Sequence, residues 1–262
     1  MTYTNLTMKK FYDYPEYYQL AFSFRDIKHE VDIFEECFRR FSKIPVGEVL
    51  ELGCGPSPHL EELAARGYKY IGLDNSQKML DYARNKARTL KIPAGFIFGD
   101  MLNFTMDTKV DFAYLLLGSL FVKSTKDILS HFACVAEALK PGGLYLLDWC
   151  VDFLLGVSPK KENWTVEKEG VKIDIRFIDE GVIERTAQLS KYRIDAEVID
   201  QSEHIHLGNE VIVRKIFPQE FLLLVEKTTK FEFVGWWNNW DLAQPIEQAE
   251  RIARPITLVR RI

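Results

Sequence analysis

The 262-residue sequence predicts an α/β fold in three parts. These are a mostly parallel seven-stranded sheet with helices on both faces, an antiparallel β insertion after its fifth strand, and an N-terminal helical segment acting as a lid. Three observations predict this. Apolar strand segments alternate with helical segments from Glu48 to about Val151, and alternation of that kind builds a parallel sheet covered on both sides. From about Trp164 to Ile216 strand follows strand with no long helix between them. After Pro218 the first rhythm returns. The implied boundaries are 1–45 for the N-terminal segment, 46–151 with 217–262 for the main unit, and 152–216 for the insertion.

The elements follow in order. Tyr12, Tyr14, Tyr17, Tyr18, Phe22 and Phe24 crowd the opening stretch. From Ile27, the residues Val31, Phe34, Phe38 and Phe41 recur at helical spacing, and Pro45 and Gly47 end that helix. Strands are expected at Val49–Gly53, Tyr68–Asp74, Gly95–Gly99, Asp111–Leu117 and Leu144–Asp148. Helices are expected near Ser57–Arg66, Ser76–Leu90 and Lys126–Leu139. In the insertion, Val171, Ile173, Ile175 and Phe177 alternate with Lys172, Asp174 and Arg176, the pattern of a half-buried strand. Gly170, Gly181 and Gly208 read as its turns. Pro218–Glu226 reads as a helix opened by proline, and Lys230–Trp237 and Pro255–Arg260 as the last two strands.

Composition narrows the class. A hydrophobic content of 47% with 27% charged residues is that of an ordinary globular protein. The net charge of −4 argues against a nucleic-acid partner, which usually meets a basic face. No apolar run reaches the roughly 18 residues of a membrane span, so no membrane partner is expected. Met1–Asn5 opens no charged-then-apolar signal, which implies a cytoplasmic protein. The cysteines at 37, 54, 134 and 150 lack metal-ligand spacing and read as reduced.

The most informative segment is Val49-Leu50-Glu51-Leu52-Gly53-Cys54-Gly55, with Asp74 at the tip of the next strand. Glycines let a backbone approach a ligand closely, and a helix start offers free N–H groups. An acid on the neighbouring strand tip can hold both hydroxyls of a ribose. The segment therefore reads as a site for a nucleoside-containing cofactor. Two alternatives fail on residues. Pro58 stands where a dinucleotide fingerprint needs its third glycine, and no G-x-x-x-x-G-K-[ST] loop is present. Cys54 occupies a position in the turn where a small side chain is needed, and nothing marks it as a nucleophile.

Glu51-Leu52-Gly53-Cys54-Gly55-Pro56 resembles the first motif of the class I S-adenosylmethionine-dependent methyltransferases, whose core sheet is Rossmann-like. The resemblance continues in order. Leu73-Asp74-Asn75-Ser76, with Met79 a turn later, resembles their ribose-binding motif. Phe98-Gly99-Asp100-Met101 resembles the motif whose acid meets the adenine amino group. Leu115-Leu116-Leu117-Gly118-Ser119 stands at their fourth strand end, and Leu139-Lys140-Pro141-Gly142-Gly143 at the turn before their fifth strand. The resemblance implies S-adenosylmethionine as cofactor, with Glu51, Gly53, Cys54 and Gly55 at its methionine end. It implies Asp74, Asn75 and Met79 at the ribose, Asp100 and Met101 at the adenine, and Leu117 and Gly118 opposite. The aromatic N-terminal segment and the insertion are similar, in position and strand pattern, to those of aminosugar N,N-dimethyltransferases, and loosely to glycine N-methyltransferase-like enzymes. That similarity implies a small-molecule acceptor, most plausibly an amine. The insertion's strands must cover two faces or leave an edge exposed, so a homodimer through the insertion is expected.

On the acceptor side, Tyr14, Tyr18 and Arg25 belong to the lid, although aromatics also simply pack and an arginine also simply meets solvent. Trp149 follows Asp148 at the end of the fifth strand, beside the crevice where open α/β sheets bind ligands. His204 and His206 share a strand face; a third ligand is lacking, so no metal is expected, and His204 remains a candidate for acid–base work. His59 reads as a packing residue. Trp236, Trp237 and Trp240 could cap a pocket, hold a cation or form a partner surface. Two rival functions stay open: a nucleic-acid methyltransferase, against which the missing N-P-P-[YF] signature after the fourth strand counts, and a non-catalytic cofactor-binding scaffold.

Overall fold

The computed structural model describes residues 9–154 and 161–262. Met1–Asn5, the first residues of the expected lid, and 155–160 of the expected insertion lie outside the described residues. The chain opens with β1 (Lys9–Lys10), a tight 3-10 turn over Phe11–Asp13, α1 (Pro15–Ala21) and α2 (Ile27–Phe41). The core follows as β2 (Glu48–Leu52), α3 (Leu60–Ala65), β3 (Lys69–Asp74), α4 (Gln77–Leu90), β4 (Ala94–Phe98), β5 (Val110–Leu115), α5 (Thr125–Ala138) and β6 (Leu139–Asp148). The insertion is β7 (Lys161–Lys168), β8 (Val171–Glu184), β9 (Leu189–Asp200) and β10 (Glu203–Arg214). Then α6 (Pro218–Thr228), β11 (Phe231–Trp237) and β12 (Ile256–Arg261) complete the core.

The core sheet has seven strands in the order β11-β12-β6-β5-β2-β3-β4. All its pairings are parallel except those of β12, which runs antiparallel between β6 and β11. From β2 the chain steps outward to β3 and β4 on one side and later to β5 and β6 on the other. The strand order therefore reverses at β2, and the crevice past its carboxyl end is where such sheets take ligands. Alternation along β2 sends Leu50 and Leu52 into the layer under α5 and α6, and Val49 into the layer under α2 and α3. Among the described residues no helix is long and apolar enough to cross a membrane.

Local chemistry sets the boundaries. α3 starts at Leu60 rather than at Ser57, because Ser57 takes a left-handed φ of 53° between two prolines and the helix cannot propagate through it. Asp26 caps α2 by accepting from the His29 N–H at 3.0 Å, and Ser76 caps α4 by accepting from Met79. Gly170 is a turn glycine with φ 82°, but Gly181 and Gly208 lie within β8 and β10. Gly181 relieves a register shift, and the turns they were expected to make fall at 185–188 and 201–202 instead. Gly208 pairs with Asp195 on one side and with Lys10 of β1 on the other.

The N-terminal segment packs in two places. The α2 side chains Val31, Phe34 and Cys37 are buried on the core sheet. The α1 region instead joins the insertion, whose sheet runs β1-β10-β9-β8-β7. Phe11 and Ala21 share a separate apolar cluster with Ile173, Ile175, Val198 and Leu207. The Trp164 indole donates to the Ala21 carbonyl at 2.8 Å, and the Tyr17 hydroxyl to Asp200 at 2.8 Å. The segment thus supplies part of the insertion's hydrophobic core. Each of those aliphatic side chains contributes about 1.5–3 kcal/mol by burial. Removal of residues 1–25 is expected to speed hydrogen exchange along β8, β9 and β10 while β2, β5 and β6 stay protected. Unchanged exchange in the insertion after truncation would show that the segment merely lies upon it.

Candidate functional site

A cavity lies past the carboxyl ends of β2 and β3, and its floor is the turn that leaves β2. Gly53 and Gly55 hold left-handed φ values of 62° and 51°, a backbone that side chains other than glycine rarely adopt. The Asp74 carboxylate ties this turn to the neighbouring strand: Oδ2 accepts from the Gly55 N–H at 2.7 Å, and Oδ1 from the Ser76 N–H at 2.8 Å. Each oxygen keeps further acceptor capacity, as two vicinal hydroxyls require. Burial pushes the Asp74 carboxyl upward, against the pull of those N–H donors. Cys54 fits because position 72 is glycine; a Cβ there would fall 2.7 Å from its sulfur. Burial pushes the Cys54 thiol well above its ordinary range, so it is no nucleophile at neutral pH.

The roof comes from the N-terminal segment. Tyr12, Tyr18, Gln19, Phe22 and Arg25 line the cavity from above. The Tyr12 and Tyr18 rings meet edge to face at 5.7 Å. Burial, and then the Asp74 charge, raises the Tyr12 phenol to about 12. Burial likewise raises Tyr18. Both stay neutral hydroxyls. Gln19 Oε1 is buried with no hydrogen-bond partner, an unmet acceptor of the kind a bound ligand satisfies. The side wall is Met101, Leu116, Leu117, Ser119 and Phe121.

Of the residues singled out from the sequence, Glu51, Gly53, Cys54, Gly55, Asp74, Asn75, Met79, Met101 and Leu117 line this cavity, with Tyr18 and Arg25. Six others, Asp100, Gly118, Tyr14, Trp149, His204 and His206, are not among its lining residues. Asp100 turns its Oδ1 back to accept from the Leu102 N–H at 2.9 Å, closing its own loop. Gly118 lies behind Leu117, with its N–H on the Asp148 carbonyl at 3.0 Å. Tyr14 stacks on Tyr17 at 6.0 Å; it precedes the first turn of α1 with non-helical dihedrals, so it does not share the face of Tyr18. Trp149 follows β6 on left-handed backbone, φ 59°, is 45% exposed, and is not among the residues lining the cavity. His204 and His206 are exposed on β10, opposite the face that Ile205 and Leu207 present to the lid cluster. The three tryptophans are core: Trp237 and Trp240 are buried, and Trp236 packs 4.4 Å from Phe233.

Sequence reasoning missed Tyr12, Gln19, Phe22, Ser119 and Phe121 as cavity residues. Phe22 and Arg25 follow Tyr18 at helical spacing, a signal that was available. Ser119 and Phe121 lie on an irregular loop after β5, where no periodicity applies.

Beneath the methionine end expected for the cofactor lies a buried charge network. His59 is fully buried, with Nδ1 3.3 Å from Glu51 Oε1 and Nε2 2.8 Å from Glu30 Oε2. Glu51 also accepts from the Tyr70 hydroxyl. Glu30 accepts from Arg25 Nε at 3.1 Å and from Arg254 Nη1 at 2.7 Å. Arg254 continues to Asp148 at 2.9 Å, and Asp148 accepts from the Leu117 N–H at 3.0 Å and the Trp240 indole at 3.1 Å. The network thus runs from the floor to the roof and on to the side wall.

Comparisons with known proteins agree with this geometry. Residues 49–143 match a family model described as a methyltransferase domain. A putative methyltransferase, YqeM of Bacillus subtilis (strain 168), is 33% identical over 209 residues, covering 79% of this chain and 82% of that protein. Among solved structures, an S-adenosylmethionine-dependent methyltransferase from Clostridium acetobutylicum ATCC 824 superposes with a TM-score of 0.74 at 20% identity, covering 94% of this chain and 96% of the other. SAM-bound CalS10, an amino pentose methyltransferase from Micromonospora echinaspora, superposes with a TM-score of 0.70 at 18% identity, over the full length of both chains. These two likenesses are of fold.

Asp74→Ala removes the carboxylate that both binds the turn and faces the cavity. Charge-assisted bonds of about 1.5–3 kcal/mol each predict a loss of roughly 10- to 1000-fold in affinity for a ribose-bearing cofactor. Calorimetry with S-adenosylmethionine, with NADH as a control, measures it; unchanged affinity in a folded variant would remove Asp74 from the site.

Proposed function

Because the chain belongs to the S-adenosylmethionine-dependent methyltransferases, we propose that it methylates a small-molecule acceptor, and that this acceptor is an amine. The cofactor is S-adenosylmethionine; when bound, it supplies a methyl group made electrophilic by a sulfonium. The observation that carries the acceptor reading is the roof. Tyr12, Tyr18 and Phe22 cover the cavity with rings and neutral hydroxyls, and the segment bearing them is fastened into the insertion. A covered aromatic chamber suits a compact acceptor, and aromatic faces shelter an amine and its methylated product. The net charge of −4 gives a polyanion no basic face to meet. The fold-level likeness to an amino pentose methyltransferase points the same way.

The residues present fit the cofactor. Gly53 and Gly55 leave the turn without side chains where the methionine end would lie, and Asp74 offers free lone pairs to the ribose. Glu51, its carboxylate at the floor, is suited to the cofactor's ammonium. Arg25 is suited to the carboxylate, since Glu30 engages only its Nε and Nη2. Asn75, Met79 and Met101 frame the adenosine, and Leu117 bounds it from the side. The work of the protein is then to hold donor and acceptor in line and exclude water, which can supply up to about 7–11 kcal/mol in favourable cases. Its second unit, the insertion, ends in β7 with no strand beyond it among the described residues. That free edge supports a homodimer formed through the insertion; light scattering tests it, and a monomer at working concentration removes it.

No histidine lines the cavity among the described residues, and both roof phenols remain protonated at neutral pH. The pH profile should therefore follow the acceptor: activity climbs as the amine loses its proton and levels once the free base dominates. A panel of amines, alcohols, thiols, catechols and oligonucleotides assayed with labelled cofactor tests the reading. Turnover confined to oligonucleotides or to carbon acceptors would defeat it.

A further inference from the structure

Both ring nitrogens of His59 face carboxylate oxygens, Glu30 Oε2 at 2.8 Å and Glu51 Oε1 at 3.3 Å. A neutral imidazole has one donor and one acceptor nitrogen, so one of these contacts would set a lone pair against an anion. Only the doubly protonated ring satisfies both. Charge leads to the same result. In direct contact, Glu30 meets the guanidiniums of Arg25 and Arg254, Asp148 meets that of Arg254, and Glu51 meets His59 itself. With His59 protonated the network is neutral; without that proton a buried negative charge is left over.

We infer that His59 is a positioning residue, an imidazolium that completes the charge balance of this network and thereby holds Glu51 in the floor and Arg25 in the roof around the cofactor's methionine end. The inference rests on the cofactor reading above for what Glu51 and Arg25 do, but not for the charge state itself. No other group on the surrounding elements replaces the proton. From α2 come Glu30 and the Phe34 ring; from β2, Glu51; from β5, the Tyr114 ring; and from the turn before α2, Arg25, whose Nη2 lies 3.4 Å from Nε2. Tyr70 reaches only Glu51, and Asp74 adds a more distant negative charge to the same carboxylate. Burial works against the ring's charge, but Glu51 and Glu30 overcome it and raise His59 above its ordinary value. The sign follows. A raised histidine contributes its stability fully below the unfolded value of about 6.5 and loses it as pH rises from there through the folded value.

Three measurements test this. In the cofactor-free wild type, the ring nitrogens of His59 should give imidazolium NMR shifts at pH 7; neutral-tautomer shifts would overturn the inference. His59→Gln should lower Tm and raise the cofactor KM by about tenfold or more while leaving kcat at saturation within about twofold, and should abolish the alkaline loss of Tm seen in the wild type. The double variant Glu30→Gln with His59→Gln removes one charge of each sign and should recover much of the Tm and KM lost by either single variant. A double variant as poor as the sum of the singles, or an alkaline limb that persists in His59→Gln, would make His59 a packing residue. A wild type that fails to bind S-adenosylmethionine but passes the NMR and Tm tests would sink the cofactor reading and leave the charge balance standing.

Discussion

Six ionisable side chains, five of them buried and Arg254 partly so, hold the elements around the cavity in register. Glu51 belongs to β2, His59 to the turn before α3, Glu30 to α2, Arg25 to the roof, Asp148 to the end of β6 and Arg254 to the approach to β12. Taking such groups out of water costs several kcal/mol per ion, and apolar residues of similar volume are often equally stable in their place. What apolar packing cannot supply is direction. Each carboxylate here has two oxygens spent on named donors, so each fixes the distance and angle between two elements. Asp148 is the clearest case: Arg254 and Trp240 hold its side chain, and it in turn receives the N–H of Leu117, a cavity residue on left-handed backbone. The shape of the side wall is thus set by Arg254 and Trp240, which do not line the cavity themselves.

Floor and roof have different origins. The floor is made by strand tips and tight turns, where backbone geometry dictates which residues are tolerated; Gly72 must be glycine for Cys54 to fit. The roof is made by a short helix fastened to a second sheet with its own apolar cluster. Tyr145 and His131 illustrate how the core supports the boundary between them. Burial lowers His131 to about 4, so it stays neutral, bridging the Tyr145 hydroxyl at 2.7 Å and the Met101 carbonyl at 2.9 Å. A neutral ring suits that place, since one partner there is a carbonyl, whereas His59 lies between two carboxylates. The same residue type takes opposite charge states because its neighbours differ.

This difference of origin explains what could be read from the sequence. The parallel core, its strand ends and the turn at Gly53–Gly55 leave signals in local spacing: apolar alternation, left-handed glycines, an acid at a strand tip. The class of fold and its cofactor were accordingly legible. Tyr14 illustrates the limit. It stands just before α1, where non-helical dihedrals break the four-residue spacing to Tyr18, and one residue of difference turns a helical side chain by about 100°. Trp149 shows a related limit: it follows β6 on left-handed backbone, a local departure that strand alternation does not signal. His204 and His206 share a strand face, as their spacing requires, but which face meets the lid depends on how α1 docks. The buried network left no trace in spacing at all: Glu30, His59, Asp148 and Arg254 are brought together only by the closed fold.

The separation of floor from roof also bears on how acceptor choice is built. The roof's apolar contacts lie in the insertion's own cluster, apart from the two layers that bury the core sheet. Substitutions at Tyr12, Gln19 or Phe22 can therefore reshape the roof of the cavity without touching the residues that hold Asp74 or the glycine turn. Arg25 is the exception. It lines the cavity beside those residues, yet its guanidinium is held by Glu30 and approaches His59, so it belongs to the charge network. The joint between roof and floor is thus an ion pair buried on both sides, and the position of the roof is set by the same balance of charge that fixes Glu51 beneath it.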